Sequence, residues 1–196
     1  MTAVLQHLLA ELEQFGATND RTHGERPRRM LNITRDTGQF LGVLVRAMQA
    51  RQVLEIGTSN GYSTLWLAEA VQATGGAVTT VEQDAFKLGL AAETFARSGL
   101  APCITQQQGE AGALLAAAPA ESADLIFLDS DRTEYPGWWP DLKRVLRRGG
   151  LLVVDNATSH PEQMAPLVAL VEADPDFTTC LVPVGKGEYL ATRSTA

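Results

Sequence analysis

The stretch VLEIGTSNGYS, residues 53–63, decides the fold of this chain of 196 residues. It begins as a short apolar run with strand character and ends in a helix near Tyr62, with a glycine-rich turn between them. Gly57 and Gly61 allow the backbone to turn tightly and to approach a ligand closely. The helix N-terminus presents unpaired N–H groups, so the turn predicts a ligand site where the strand meets its helix.

Strand-like runs and helical stretches alternate along the rest of the chain. Strand length and β-branched content are found in five runs: QVLEIG, AVTTVE, CITQQ, ADLIFLD and GLLVVD. Such alternation is typical of a parallel sheet covered by helices on both faces. Two further runs around residues 185–187 predict a closing antiparallel hairpin. The predicted fold class is therefore α/β, with a doubly wound, Rossmann-like sheet.

Residues 1–35 precede this alternation as a helical and loop segment, and residues 36–196 form the main part of what we expect to be one domain. Apolar residues at helical spacing predict an amphipathic helix over roughly the first fifteen residues. Residues 16–27 are polar and predict a loop. Asp36 is the expected cap of the next helix.

Charge and composition exclude several classes of protein. The formal net charge of −7 argues against a nucleic-acid partner. The sequence has neither a signal-peptide pattern nor an apolar run of about 20 residues, so we expect a cytoplasmic protein that does not bind membranes. An arginine cluster near the N-terminus is either a solvated surface or a clamp over an acidic substrate. Its members are Arg21, Arg26, Arg28, Arg29 and Arg35.

The glycine-rich turn indicates an adenosine cofactor. Nicotinamide dinucleotides require the pattern GxGxxG, whereas residues 57–61 read G-x-x-x-G. Glu55 at the strand end would repel a pyrophosphate but suits the ammonium group of a methionine moiety. Glu82, at the end of the second strand, can accept hydrogen bonds from ribose hydroxyls in either cofactor. The turn therefore favours S-adenosylmethionine, and a purely structural turn is the remaining alternative.

Three oxygen-bearing side chains end the next two strands. Asp129 follows the fourth strand, and Asp155 and Asn156 follow the fifth. If these strands are neighbours, their ends lie roughly 5 Å apart. Carboxylate and amide oxygens suit Mg²⁺, whose open positions can take two adjacent substrate hydroxyls and help a phenol to lose its proton. The alternative is that these acids only cap helices and bind the cofactor.

Taken in order, the motifs resemble the O-methyltransferase family of the catechol and caffeoyl-CoA type. The resemblance covers most of the chain and is carried by LNITRDTGQFL, VLEIGTSNGYS, VEQD, IFLDSDRTEY, VVDN and LVPVGKGEYLATR. It implies a seven-stranded, mostly parallel sheet whose last strand is antiparallel, and a homodimer. It also implies methyl transfer from S-adenosylmethionine to a small hydroxylated, catechol-like acceptor, assisted by a divalent cation such as Mg²⁺.

The resemblance also assigns site residues by position. Glu55 is expected to take the methionine amine, Glu82 the ribose, and the segment from Leu31 to Ile33 should pass over the cofactor. Gly109 to Gly112 should border the adenine. The full predicted cofactor set is Ile33, Glu55, Gly57, Thr58, Ser59, Gly61, Ser63, Glu82, Gln83, Gly109, Glu110, Ala111 and Asp129.

Asp129 and Arg132 are the predicted catalytic residues, and Asp129, Asp155 and Asn156 match the family's metal ligands. The family usually has a lysine, proposed as general base, where this chain has Arg132. Arginine cannot be deprotonated, so Arg132 can stabilise a phenolate but cannot be the base. His160 is either an alternative base or an exposed loop residue.

Three rival functions stay open at this stage. The first is a methyltransferase without a metal, which metal dependence of turnover would exclude. The second is a nicotinamide-dependent oxidoreductase, which binding of NADH in place of S-adenosylhomocysteine would support. The third is a non-catalytic module that binds the cofactor tightly and transfers no methyl group.

Overall fold

A computed structural model of the chain describes residues 1–195, apart from the side chain of Arg26. Within them lie seven strands: β1 Gln52–Ile56, β2 Ala77–Glu82, β3 Ile104–Gln108, β4 Ala123–Leu128, β5 Leu146–Val154, β6 Phe177–Val182 and β7 Glu188–Arg193. They form one sheet in the order β3-β2-β1-β4-β5-β7-β6. The first five strands are parallel, and β7 runs antiparallel to both β5 and β6. The predicted Rossmann-like sheet with an antiparallel last strand is confirmed.

Seven α-helices cover this sheet on two sides. Their bounds are α1 Ala3–Thr22, α2 Arg35–Ala47, α3 Tyr62–Ala73, α4 Ala85–Ser98, α5 Ala111–Ala117, α6 Tyr135–Val145 and α7 Pro161–Glu172. One apolar cluster joins α1 to α4 with one face of the sheet, and a second joins α5 to α7 with the other face. Neighbouring residues of β4 alternate between the clusters, since Phe127 packs in the first and Ile126 in the second.

The first helix is longer than its composition predicts. It continues through the expected loop to Thr22, and Gly16 lies inside it. A side chain at residue 16 would collide with Asn32, because its Cβ would lie 2.6 Å from Asn32 Nδ2. The glycine therefore serves a close tertiary contact and does not end the helix. The prediction of a loop over residues 16–22 was wrong.

The start of α2 also differs from the prediction. Its cap is Thr34, whose Oγ1 accepts a hydrogen bond from the backbone N–H of Thr37 at 3.4 Å. Asp36 lies in the first turn, and its Oδ2 accepts a hydrogen bond from the N–H of Gly185 at 3.3 Å. The acid thus connects α2 to the turn between β6 and β7. No helix among residues 1–195 is long and apolar enough to span a bilayer.

Candidate active site

A cavity of about 730 Å³ lies where the parallel strands β1, β2 and β4 end. It collects most of the residues that the sequence assigned to the cofactor. These are Ile33, Gly57, Thr58, Ser59, Ser63, Glu82, Gln83, Gly109, Glu110, Ala111 and Asp129. Arg132 and Asn156 also line it. Ligands of open α/β sheets bind at this edge, so the cavity is the candidate active site.

The two glycines of the turn serve different contacts. Gly57 has a φ of +110°, and a Cβ there would lie 2.1 Å from the carbonyl oxygen of Asp129. It lets the turn pass directly against the end of β4, within the cavity wall. Gly61 has a φ of +85°, and a Cβ there would lie 2.6 Å from the ring of Phe95. The side of Gly61 where a Cβ would lie therefore faces α4, and an approach of its backbone to the ligand stays a prediction.

Glu55 lies beneath the turn and outside the cavity wall. Its side chain has the same orientation as Val53, two residues earlier, and so points toward the helices of the first layer. It is fully buried, and its carboxyl accepts hydrogen bonds from Ser63 Oγ at 2.5 Å, from Thr80 Oγ1 at 2.6 Å and from Thr64 Oγ1. Burial raises the pKa of Glu55 to about 7. The carboxyl thus accepts three hydrogen bonds from protein hydroxyls below the turn, and its contact with a methionine amine stays a prediction.

Glu82 fastens the turn from the neighbouring strand. Its two carboxyl oxygens accept backbone hydrogen bonds from Ser59 and Asp84, both at 3.0 Å. The Glu82 side chain also lines the cavity, so the same residue holds the turn and faces the space for the ligand. Contact with a ribose stays a prediction. Glu110 has a similar double role, since it lines the cavity and caps α5 by accepting from the N–H of Gly112 at 2.6 Å.

The three predicted metal ligands converge at the ends of β4 and β5. Asn156 Nδ2 donates to Asp129 Oδ1 at 3.2 Å and to Asp155 Oδ2 at 2.7 Å. Burial, and then the charge of Asp155, raise the pKa of Asp129 to about 7. Burial also raises the pKa of Asp155. Two carboxyls are thus held close together in a place that is poorly solvated, and positive charge beside them is favoured.

The side chains of Asp129, Asp155 and Asn156 have the chemistry that a hard divalent cation requires. Among the described residues, no three Asp, Glu, His or Cys side chains are grouped so that they could hold a metal ion. A cation held by Asp129 and Asp155 would therefore need a ligand of another type, and the amide of Asn156 is beside both carboxyls. Its Nδ2 lies between the carboxylates, and rotation of the amide exchanges this nitrogen for the oxygen Oδ1. Two carboxylates and an amide oxygen are ligands that Mg²⁺ accepts.

A second buried acid supports Asp155 from behind. Glu188, the first residue of β7, is fully buried and shares a hydrogen bond with Asp155. Its Oε1 accepts from Thr37 Oγ1 at 3.1 Å. Burial, followed by the charge of Asp155, raises the pKa of Glu188 to about 10, so its carboxyl is protonated at neutral pH and can donate to Asp155. Glu188 was not predicted from the sequence, since only the sheet order reveals its neighbour.

Cations lie beside the acid pair. Arg132 is 6% exposed, and its Nε donates to Gln163 Oε1 at 2.9 Å. Lys186, in the turn before β7, lines the same cavity and was not singled out from the sequence. The charges of Lys186 and Arg132 both act to lower the pKa of Asp129 and Asp155 against the larger effect of burial. His160 lines the cavity as an exposed residue.

The N-terminal arginines have separate environments. Arg29 lines the cavity, Arg28 lies 5.1 Å from the ring centre of Phe86, and Arg35 pairs with Glu13 at 2.9 Å. The side chain of Arg26 lies outside the described part of the chain. A clamp over an acidic substrate therefore stays a prediction, with Arg29 as its member in the cavity.

The fold and the position of the cavity define a Rossmann-like protein with a ligand site at the sheet edge, and similar proteins specify the family. An O-methyltransferase family model matches residues 2–194. A relative from Mycobacterium sp. (strain JLS), named as an O-methyltransferase, is 33% identical to this chain over 174 residues. The match spans 82% of this chain and 79% of the relative. The chain belongs to this O-methyltransferase family, and it is an S-adenosylmethionine-dependent enzyme. The family inferred from the ordered motifs is confirmed.

Solved structures agree with this assignment. The O-methyltransferase from Bacillus cereus in complex with S-adenosylhomocysteine superimposes with a TM-score of 0.81 at 25% identity, covering 96% of this chain and 91% of that one. The O-methyltransferase TomG from Streptomyces achromogenes, involved in tomaymycin synthesis and solved with S-adenosylmethionine, gives a TM-score of 0.78 at 25% identity. That match covers 99% of this chain and 91% of TomG.

Proposed function

We propose that this O-methyltransferase methylates a hydroxyl of a small aromatic acceptor that carries two adjacent hydroxyls, with Mg²⁺ held by Asp129, Asp155 and Asn156. The observation that carries the proposal is the convergence of these side chains, with Asn156 Nδ2 at 3.2 Å and 2.7 Å from the two carboxylates. Asp129 and Asn156 also line the cavity that the glycine-rich turn forms. A methyl donor beside the turn would therefore lie next to an acceptor at the acid pair.

Asp129, Arg132 and the bound cation have separate roles in the proposed reaction. A bound Mg²⁺ would supply Lewis acidity that lowers the pKa of a coordinated acceptor hydroxyl. Asp129 lies between the cofactor turn and the acid pair, because its carbonyl packs against Gly57 and its carboxyl contacts Asn156. Arg132, anchored on Gln163, keeps its proton and stabilises negative charge on the acceptor oxygen. Holding donor and acceptor in line supplies most of the rate gain.

A second candidate is methyl transfer without a metal. The specific observation in its favour is that Asn156 Nδ2 already lies between the carboxylates, while Arg132 and Lys186 provide positive charge beside them. In that case protein groups alone balance the charge of the acid pair, and acceptors with a single hydroxyl react as well as diols.

Methyl transfer from labelled S-adenosylmethionine to catechols and mono-phenols, with Mg²⁺ or with EDTA, separates the two candidates. We expect diols to be methylated preferentially and EDTA to stop the reaction. Transfer that persists in EDTA, at equal rates for mono-phenols, would establish the metal-independent candidate and reject the metal role of the three side chains.

Direct cation binding gives a test that does not depend on turnover. Asp155→Asn keeps the shape of the side chain but removes a charged ligand, so we expect Mn²⁺ affinity, measured by titration calorimetry, to fall by at least about tenfold. Asp141→Asn, on α6 and paired with Arg144, is the matched control and should bind Mn²⁺ normally. Equal Mn²⁺ affinities in the two variants would contradict the metal site.

A further inference from the structure

The turn between β6 and β7 presents one side chain to the cavity. Residues 185–187 read Gly-Lys-Gly, so Lys186 is the only one of the three with a side chain beyond hydrogen. The carbonyl oxygen of Lys186 accepts hydrogen bonds from the backbone of Thr158 at 3.1 Å and of Ser159 at 3.2 Å, and from Thr158 Oγ1 at 2.5 Å. The backbone of Lys186 is thereby fixed to the loop that follows the predicted metal ligand Asn156.

The two glycines beside Lys186 pack closely against neighbouring segments. Gly185 has a φ of +57°, and a Cβ there would lie 2.1 Å from Thr37 Oγ1. Gly187 has a φ of +89°, and a Cβ there would lie 2.4 Å from Thr158 Cγ2. Both positions require glycine for conformation and for packing. The turn is therefore clamped between α2 and the loop after β5, which fixes the starting point of the Lys186 side chain.

The surroundings of Lys186 contain the acids of the acceptor half of the site. It shares the cavity wall with Asp129, Arg132 and Asn156. Whereas Arg132 is buried and tied to Gln163, Lys186 is half-buried. A flexible four-carbon stem allows an ammonium group to follow a ligand that enters the cavity.

From this geometry we infer that Lys186 is a catalytic residue whose ammonium contacts the acceptor oxygen that receives the methyl group. This inference rests on the proposed function. The acceptor hydroxyl gives its proton to solvent water, and its oxygen forms a bond to the methyl carbon. The carbon–sulfur bond breaks with its electron pair left on sulfur, which turns the sulfonium into a neutral thioether. Lys186 stabilises the negative oxygen and takes no proton.

The experiment compares Lys186→Met and Lys186→Arg, with Lys143→Met as the matched control. Lys143 lies on α6 and pairs with Asp174 at 2.6 Å, so the control removes a lysine outside the cavity. The probe is 4-nitrocatechol, whose absorption spectrum distinguishes the phenolate from the phenol. It is bound to each protein with S-adenosylhomocysteine, in Mg²⁺ and in EDTA, and turnover is measured with unlabelled catechol.

We expect Lys186→Met to lower the ratio of bound phenolate to bound phenol, and kcat with it, by about 10- to 100-fold. Lys186→Arg should restore most of both, because it restores the charge. Affinity for S-adenosylhomocysteine and the thermal midpoint should match the control, which shows that the variant is folded.

Equal spectra and equal kcat in Lys186→Met and wild type would overturn the role of Lys186. A variant that loses thermal stability, with kcat lost in Lys186→Arg as well, would show that Lys186 only supports the turn and would also overturn it. If the wild type neither binds 4-nitrocatechol nor methylates any catechol, the proposed acceptor class fails and the inference fails with it.

Discussion

Glu55 is an acid that the fold buries completely beneath the cofactor turn. Burial raises the pKa of Glu55 from 4.5 to about 7, so the folded chain keeps a proton that the unfolded chain loses. The effect on stability is therefore absent below the unfolded pKa. The free energy of unfolding then decreases as the pH rises from the unfolded pKa through the folded pKa, and it levels off above that. Glu55 thus lowers the stability of the fold at neutral pH, while its hydrogen bonds support the turn.

Replacing this acid by Glu55→Gln should flatten the dependence of stability on pH. Between about pH 5 and pH 8, the free energy of unfolding of the wild type decreases as Glu55 ionises. We expect this decrease to be smaller in the variant by roughly 2 to 3 kcal/mol. Urea denaturation across this range measures it. Glu93→Gln, on the exposed side of α4, is the control. An unchanged slope in Glu55→Gln would mean that Glu55 is ionised inside the fold.

At the scale of elements, the end of α1 holds a strap, residues 27–33, over the cavity. Asp20 on the last turns of α1 accepts the backbone N–H groups of Met30 at 2.6 Å and Leu31 at 2.8 Å. Ser59 Oγ, on the cofactor turn, donates to the carbonyl of Met30 at 2.7 Å. The strap is therefore tied both to a helix and to the turn beneath it, and it forms one wall of the cavity.

Loosening the strap should weaken cofactor binding more than it weakens the fold. Asp20→Ala leaves two backbone donors without their acceptor, so we expect affinity for S-adenosylhomocysteine to fall by about tenfold. Asp20→Asn retains one acceptor oxygen and should have a smaller effect. Glu11→Ala, which removes an exposed acid of α1 paired with Arg97, should bind normally in the same calorimetric titration. Equal affinities in all three variants would disprove the strap's role.

Also at the scale of elements, the sequence was informative wherever local pattern determines structure. The apolar runs marked every strand, and the acids at strand ends marked the active edge. The pattern could not show the extension of α1, because Gly16 is explained by its contact with Asn32. It also could not show the direction of Glu55, which depends on the packing of β1, nor the neighbour of Glu188, which depends on the insertion of β7 beside β5. These features arise from contacts between distant segments.

At the scale of the whole molecule, the cavity wall is drawn from residues between Pro27 and Lys186. A ligand that fills it contacts segments from both halves of the chain, so binding should stabilise the entire fold. We expect S-adenosylhomocysteine at about 100 times its Kd to raise Tm by about 5–10 °C. NADH, whose pyrophosphate the turn does not suit, should leave Tm unchanged. A shift with NADH and none with S-adenosylhomocysteine would contradict this prediction.

The reversed direction of β7 has a consequence for how such enzymes diversify. Because β7 runs against its neighbours, the turn before it lies at the edge where the parallel strands end. A single codon change at Lys186 can alter the charge offered to an acceptor while every ladder hydrogen bond of the sheet is kept. Under the role proposed for Lys186, acceptor choice can therefore change at this turn while the strands that carry the methyl-donor site stay the same.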